Sequence, residues 1–321
     1  MAKTKELLMG WVNNPDNVIK RNIEDLFGIK AGSFILETLA IKTNLPIDSK
    51  YHFDKVLLKK ILRWIYGSSS RNNILLFGDA GVGKTSLIIE VCARLNIPLY
   101  QIACSGKTRF QHLVGSRELV GGQTVWVDGP LARAMREGGV FLMDEATRMD
   151  PGEQMNLAAV LDSRSSLTIP DTGEVVKPHP RFRVAATGNS AGFGDESGAY
   201  IGEKPSSFAF LDRFQKYQVP FLPEEVERQM IAENAPTLPQ EFIEIMIKTA
   251  NEIRKGFIGA GGGLVFTLSP RSLMVWAMEA VSYVDMGIDE PIWESLMDTV
   301  MNGAPTDNIK TVKELYTQWV A

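Results

Sequence analysis

The residues best suited to chemistry close three short apolar runs. The first is Gly78-Asp79-Ala80-Gly81-Val82-Gly83-Lys84-Thr85-Ser86, directly after the run Ile74 to Phe77 and directly before a helix-like apolar pattern. Glycine at 81 and 83 lets the backbone turn its N–H groups inward with no Cβ in the way. Lys84 then supplies a point charge for terminal phosphates, Thr85 a hydroxyl for Mg²⁺, and the helix its N-terminal dipole. A strand–loop–helix of this spacing reads as a phosphate-binding loop, and no base-specific motif separates ATP from GTP.

The second run, Val140-Phe141-Leu142-Met143, reads as a strand buried on both faces and ends in Asp144-Glu145. Ligands of parallel sheets bind at the carboxyl ends of strands. Asp144 can hold Mg²⁺, through water, beside Thr85, and Glu145 can polarise an attacking water. An acidic pair at a strand end is common; the upstream phosphate loop is what gives this one a catalytic reading. The third run, Phe182 to Ala186, closes in Thr187-Gly188-Asn189. Asn189 either hydrogen-bonds the γ-phosphate or the water, or is a turn residue. Arg213, before the last strand, is a candidate arginine finger for a neighbouring subunit, or a surface arginine paired to Asp212. Arg271 begins a later helix and either reports phosphate state or is simply solvated. Arg164 is a further candidate interface contact.

Around these residues the chain divides in two. Strand and helix patterns alternate up to Phe221, with strands expected at Leu99 to Ala103 and near Tyr217 to Phe221, and a helix from Pro151 to Leu161. Helices alone follow, broken at Pro236 to Pro239 and Gly259 to Gly263, with Ser269 as N-cap and Pro270 at the first position of one of them. The expectation is an α/β domain followed by a small all-α domain. Two hairpins interrupt the alternation, at Leu119 to Trp126 around Gly121-Gly122 and at Ser166 to Val176 around Asp-Thr-Gly. Residues 1–70 read as mostly helical: Leu7, Leu8, Trp11 and Val12, then Ile23, Leu26 and Phe27, then Phe34 to Ile41, then Lys55 to Tyr66. Asn13-Asn14-Pro15-Asp16 is a turn and Gly67 to Ser70 a break. Tyr51 and Phe53 read as core, with a base pocket as the alternative.

With 321 residues the chain can hold about two domains. A formal charge of -4 argues against a broadly basic nucleic-acid coat. Cys92 and Cys104, with three histidines, give no zinc spacing and fit a reduced, cytoplasmic compartment. The apolar run at the start is too short for a signal peptide, and no stretch approaches a membrane span.

The order of the phosphate loop, Asp144-Glu145, Asn189, Arg213 and Arg271 resembles the AAA+ ATPases. The two hairpins resemble the inserts of the MoxR, CbbQ, CobS and McrB-like group. The runs His179 to Asn189, Gly192 to Tyr200, Leu211-Asp212-Arg213-Phe214 and Tyr51-His52-Phe53-Asp54 look like the CobS subunits of aerobic cobaltochelatase. CobS-like ATPases also occur in phages, and a phage-encoded chain would work in the host cytoplasm. The resemblance implies a P-loop AAA+ domain, its parallel sheet between helices, over residues 46–222, an α-helical lid over 223–321 and a short helical region over 1–45. It implies ATP and Mg²⁺ between the subunits of a homohexamer, and a separate protein partner or substrate, such as a von Willebrand-type-domain protein. Hydrolysis would move the lid against the α/β domain, and the hairpins would pass that motion on. Partner remodelling is favoured over a nucleic-acid-directed motor of the McrB type. The latter's basic residues, Lys107, Arg109, Arg117, Lys177, Arg181 and Arg183, are diluted by acids and lack an aromatic stacking array. A nucleotide-gated scaffold is disfavoured by the intact acidic pair.

Overall fold

The computed structural model describes residues 7–9, 17–30, 34–67, 73–195, 198–200, 202–258 and 262–320. Trp11, Val12 and the turn expected at residues 13–16 lie outside them, as do most of the breaks expected at residues 67–70 and 259–263. Contacts divide the chain into two compact units. The first is formed by the described residues of Met1–Gly78, Lys84–Gly194 and Gly202–Gln218, and the second by those of Asp79–Gly83, Asp195–Ile201 and Val219–Ala321.

The first unit begins with β1 (Leu7–Met9), β2 (Val18–Asn22), α1 (Ile23–Phe27), β3 (Phe34–Leu39) and α2 (Lys55–Tyr66). β3 is the middle strand of a three-stranded sheet, parallel to β1 and antiparallel to β2, with Val18 opposite Leu39. The helical expectation for residues 1–45 is corrected here. It holds at α1 and fails at Leu7–Met9 and at Phe34 to Ile41. Within β3, Leu36 and Thr38 are buried and their neighbours half-buried, a period of two. Apolar residues on both sides of that period fit a helix equally well, and pairing with two other strands decides the matter. α2 forms where expected: the Asp54 carboxylate accepts from Leu57 N at 2.6 Å, and Leu57, Leu58, Ile61, Leu62 and Ile65 are buried. Each such side chain contributes about 1.5–3 kcal/mol of transfer free energy.

Next come β4 (Asn73–Phe77), α3 (Lys84–Leu95), β5 (Leu99–Ala103), α4 (Phe110–Val114), β6 (Gly115–Val120), β7 (Gln123–Asp128), α5 (Pro130–Glu137) and β8 (Val140–Asp144). The first unit is completed by α6 (Pro151–Met155), α7 (Ala158–Leu161), β9 (Leu167–Thr168), β10 (Val175–Val176), β11 (Arg183–Gly188), α8 (Phe208–Leu211) and β12 (Gln215–Gln218). β12, β4, β11, β8 and β5 form one sheet in that order, every neighbouring pair parallel. Burial on both faces is why β4 and β8 read as unbroken apolar runs. Parallel order brings Phe77, Asp144 and Gly188, the last residues of β4, β8 and β11, to one edge.

Both expected hairpins are present. In β6–β7, Val120 lies opposite Gln123, and Gly121 and Gly122 turn with φ of 60° and 82°, as a two-residue I′ turn requires. β9–β10 is shorter, with Thr168 opposite Val175. The expected helix from Pro151 to Leu161 is split into α6 and α7, because Asn156 and Leu157 donate to carbonyls three residues back and tighten the chain. The last strand falls earlier than expected, at Gln215–Gln218, since Pro220 has no N–H to extend the ladder.

The second unit contains α9 (Glu224–Asn234), α10 (Gln240–Gly256), α11 (Pro270–Asp285), α12 (Pro291–Leu296) and α13 (Thr306–Val320), with a π-helical turn at Met297–Met301. The Ser269 hydroxyl caps α11 by accepting from Ser272 N at 3.1 Å, with Pro270 in the first turn. Trp276 is fully buried and donates its indole N–H to the Ile292 carbonyl at 3.0 Å. Arg254 donates to both oxygens of the fully buried Glu227, at 2.7 and 2.8 Å.

Candidate active site

β4 delivers the chain into the loop at Gly78. Gly81 and Gly83 have φ of 76° and 93°, a region open to glycine without strain. In the second unit, a Cβ on Gly81 would stand 2.5 Å from the Ser269 hydroxyl oxygen, so no side chain fits there. Tyr200, in the same unit, donates its hydroxyl to the Asp79 carboxylate and packs edge-on against Phe257. Burial first, and then Asp79, push that hydroxyl's ionisation upward.

The remaining groups lie in the first unit. Lys84, buried at the start of α3, donates from Nζ to the Gly78 carbonyl at 2.8 Å and to Asn189 Oδ1 at 3.0 Å. Thr85 Oγ1 and Thr187 Oγ1 both donate to Asp144 Oδ1, each at 2.6 Å. The Thr187 hydroxyl also accepts from Glu145 N at 2.9 Å. Glu145 has a φ of 55°, a conformation that costs a non-glycine residue free energy and has to be held by its surroundings. Its carboxylate pairs with Arg148 Nη1 at 2.6 Å. Glu203 ties the two strand ends together: its Oε1 accepts from Thr147 Oγ1 at 2.8 Å and Asn189 N at 3.3 Å, and its Oε2 from Ser190 Oγ at 2.8 Å. Cys104 N donates to the Asp144 carbonyl at 2.7 Å. Burial, and then the charges of Asp144 and Glu145, push the Cys104 thiol up to about 12, so it is neutral at pH 7.

Of the residues singled out from the sequence, Lys84, Thr85, Asp144, Glu145 and Asn189 thus meet at one edge of the sheet. Arg213 precedes β12, at the strands' other ends. It donates to Asp162, with Nε–Oδ1 at 2.8 Å and Nη2–Oδ2 at 3.4 Å, and to the Ala209 carbonyl. Its acidic partner is Asp162 rather than the adjacent Asp212. Arg164 lies two residues beyond Asp162. Arg271 is exposed on the first turn of α11, its Cβ 3.8 Å from where a Cβ on Gly81 would stand. Tyr51 and Phe53 pack on each other at 4.6 Å, and Phe53 packs on Phe27 at 5.1 Å. Thr187, Arg148 and Glu203 have no sequence signal of their own. A threonine two residues before Asn189 was visible, but nothing aimed its hydroxyl at Asp144. Glu203 sits in a glycine-rich loop 56 residues from Thr147.

The family profile of the AAA domain, dynein-related subfamily, matches residues 73–214. That span runs from the first residue of β4 to the residue before β12 and contains Lys84, Thr85, Asp144, Glu145, Asn189 and Arg213. Residues 73–214 thus form an AAA domain. The chain is 29% identical over 284 residues to the aerobic cobaltochelatase subunit CobS of a Sinorhizobium species, covering 85% of this chain and 83% of that protein. It is 33% identical over 187 residues to an uncharacterized protein of Staphylococcus haemolyticus, covering 57% of this chain and 68% of that one. Among solved structures, a RuvB mutant from Thermotoga maritima matches with a TM-score of 0.53 at 13% identity, over 85% of this chain and 81% of the other, a likeness of fold alone. An AAA domain implies nucleotide binding, and the matched span holds all the clustered residues, while Arg271 lies beyond it. No helix among the described residues is long and apolar enough to cross a membrane.

Proposed function

We propose that this AAA+ chain hydrolyses ATP with Mg²⁺ and, as a homohexameric ring, uses the cycle to remodel a separate protein partner. The observation that carries the reading is the junction of Thr85 and Thr187 on one oxygen of Asp144, adjoining Glu145, with Lys84 on Asn189. The donor set suits the ligands. Gly78 to Ser86 offers backbone N–H groups where a Cβ at Gly81 would not fit. A hydroxyl and a carboxylate are hard oxygen donors of the kind Mg²⁺ takes. Among the described residues no group of three or more His, Cys, Asp or Glu side chains could hold a metal, so phosphate oxygens and water would complete the shell. Held by Thr85 and Asp144, the ion would neutralise charge on the phosphates.

This chain's residues would do the rest. Lys84 would turn its ammonium to the terminal phosphates, and Asn189 would orient the γ-phosphate or the water. Glu145 would leave Arg148 and accept the proton of the water that attacks the γ-phosphorus. The bond from that phosphorus to the bridging oxygen breaks, ADP and phosphate form, and the proton passes on to solvent. Arg213, released from Asp162, would meet the phosphates held by a neighbouring subunit, and Arg271 would report phosphate state to the helical unit. Similarity to a CobS subunit supports a protein partner, for which a von Willebrand-type-domain protein is the first candidate, with β6–β7 and β9–β10 as contacting elements.

Glu145→Gln should bind ATP as the parent does and lose turnover; equal turnover would sink the assignment. Arg213→Ala and Lys84→Ala chains should each be inactive and should recover activity when mixed, because one supplies the loop and the other the arginine. The finger is worth about 10³–10⁵ in rate. Mixed rings that form without recovering would argue either that Arg213 acts within its own subunit or that the ring requires strict coordination among its subunits; a concentration-independent rate from a stable monomer would leave only the first.

A further inference from the structure

A cavity of about 460 Å³ lies in the first unit at the amino ends of β4 and β11. β11 has six residues, so roughly 20 Å of strand separates this cavity from Asn189. It is therefore distinct from the cluster around Asp144.

The lining is cationic and rich in hydroxyls. Arg164 and Lys177 stand exposed at the rim, with Ser163 beside them. Neither cation has an ion-pair or hydrogen-bond partner among the described residues. Arg183 is buried in the wall and donates to the carbonyls of Trp64, Pro180 and Phe182 at 3.2, 3.0 and 2.9 Å. Burial lowers its ionisation to about 10, which leaves it charged at pH 7. The acid in the lining is Asp162, and Arg213 already neutralises it. Finally, the Ser165 hydroxyl oxygen is buried without a hydrogen-bond partner, a destabilising state that a ligand oxygen would relieve.

We propose that this cavity is a phosphate-binding subsite, in which Arg164 and Lys177 hold the anion and the Ser165 hydroxyl donates to it. Several donors converging with an arginine suit a tetrahedral oxyanion with many acceptor oxygens better than a single carboxylate. The volume admits a nucleotide-sized compound. The phosphate comes either from a nucleotide seated in a second copy of the chain or from a free phosphorylated compound. The Asp162–Arg213 pair at the cavity's edge favours the second copy, a choice that rests on the proposed role of Arg213 in a neighbouring subunit.

The test uses the full chain carrying Lys84→Ala, so that its own phosphate loop is disabled, titrated calorimetrically with pyrophosphate. Saturable binding is expected. It should weaken about 10- to 100-fold when Arg164→Ala and Lys177→Ala are added, as for the loss of hydrogen bonds to a charged group, and return with Arg164→Lys and Lys177→Arg. Both residues are exposed, so these variants should keep their fold. Absence of binding, or binding indifferent to the pair, overturns the subsite.

ATP turnover then separates the sources. If the phosphate belongs to a second copy, the Arg164→Ala, Lys177→Ala chain is slow alone and recovers when mixed with Lys84→Ala. If it turns over at the parent rate while failing to bind pyrophosphate, the ligand is a free compound and the second-copy source is wrong. Arg213→Ala serves as the control for the underlying reading. Full activity in that variant removes the trans role while leaving the pyrophosphate result to stand or fall by itself.

Discussion

Thr187→Val is the sharpest perturbation of the Asp144–Glu145 junction. Thr187 is fully buried in β11. Its one hydroxyl donates to Asp144 at 2.6 Å and accepts from Glu145 N at 2.9 Å. Valine keeps the shape and removes both bonds. A hydrogen bond to a carboxylate contributes about 1.5–3 kcal/mol, and an N–H left without its acceptor costs about 1–3 kcal/mol. The two losses share one atom and add incompletely, so about 2–4 kcal/mol of destabilisation is expected in total. Thr187→Ser keeps the hydroxyl and gives up a buried methyl, at about 1 kcal/mol. The stability order should therefore be Thr, Ser, Val, the reverse of what burial of apolar surface alone would give for the last two. Urea titration followed by tryptophan fluorescence reads the order. ATP turnover reads the consequence, because the Glu145 backbone loses its anchor, so turnover should fall further than ATP affinity. A valine variant as stable as the serine variant, with parental turnover, would refute the role given to this hydroxyl.

Arg254→Ala should cost about 3–5 kcal/mol, since it leaves the buried Glu227 carboxylate unpaired; Arg254→Met with Glu227→Leu should cost clearly less by the same urea titration. His179 is held below its usual value by burial and then by Arg181. The unfolded chain therefore takes up the proton first: the stabilisation is complete above about pH 6.5 and is lost as pH falls through the folded value. Urea midpoints at pH 7.5 and 5 should differ, and the gap should narrow in His179→Gln. Cys92 and Cys104 are both buried and their thiols pushed up in pKa; mass spectrometry after iodoacetamide at pH 7.5 should find both unmodified in the native chain and modified in urea.

What the sequence revealed and what it hid differ by range. The loop after β4, the acids at the end of β8 and the β6–β7 turn are local. Each is a few residues whose types alone demand their backbone, as Gly121 and Gly122 demand positive φ. β3 was not legible, because Phe34–Leu39 carries apolar residues compatible with either period and becomes a strand only by pairing with β1 and β2. The partners of the candidate residues were equally out of reach. Arg213 finds Asp162 across 51 residues, and Glu145 N finds the Thr187 hydroxyl across 42. Such contacts follow from the strand order, and strand order is a property of the whole sheet.

That same network separates what is rigid around Glu145 from what can move. Its backbone N–H is fixed by Thr187, and two residues on, the Thr147 hydroxyl is fixed by Glu203. Glu203 in turn holds Asn189, whose side chain accepts from Lys84. The segment from Glu145 to Thr147 is therefore tied at one end to Thr187 of β11 and at the other, through Glu203, to Asn189 just beyond that strand, and its left-handed backbone at Glu145 is over-determined, as such strain requires. The Glu145 carboxylate is not held in this way. Its pair with Arg148 has side-chain exposures of 38% and 36%, and an ion pair that open to water contributes about 0–1 kcal/mol. Moving the carboxylate from Arg148 to a water thus needs a side-chain rotation of small cost and no backbone rearrangement. A fixed backbone with a weakly tethered carboxylate is the arrangement expected of a group that must be positioned for proton transfer yet free to change partner within each cycle.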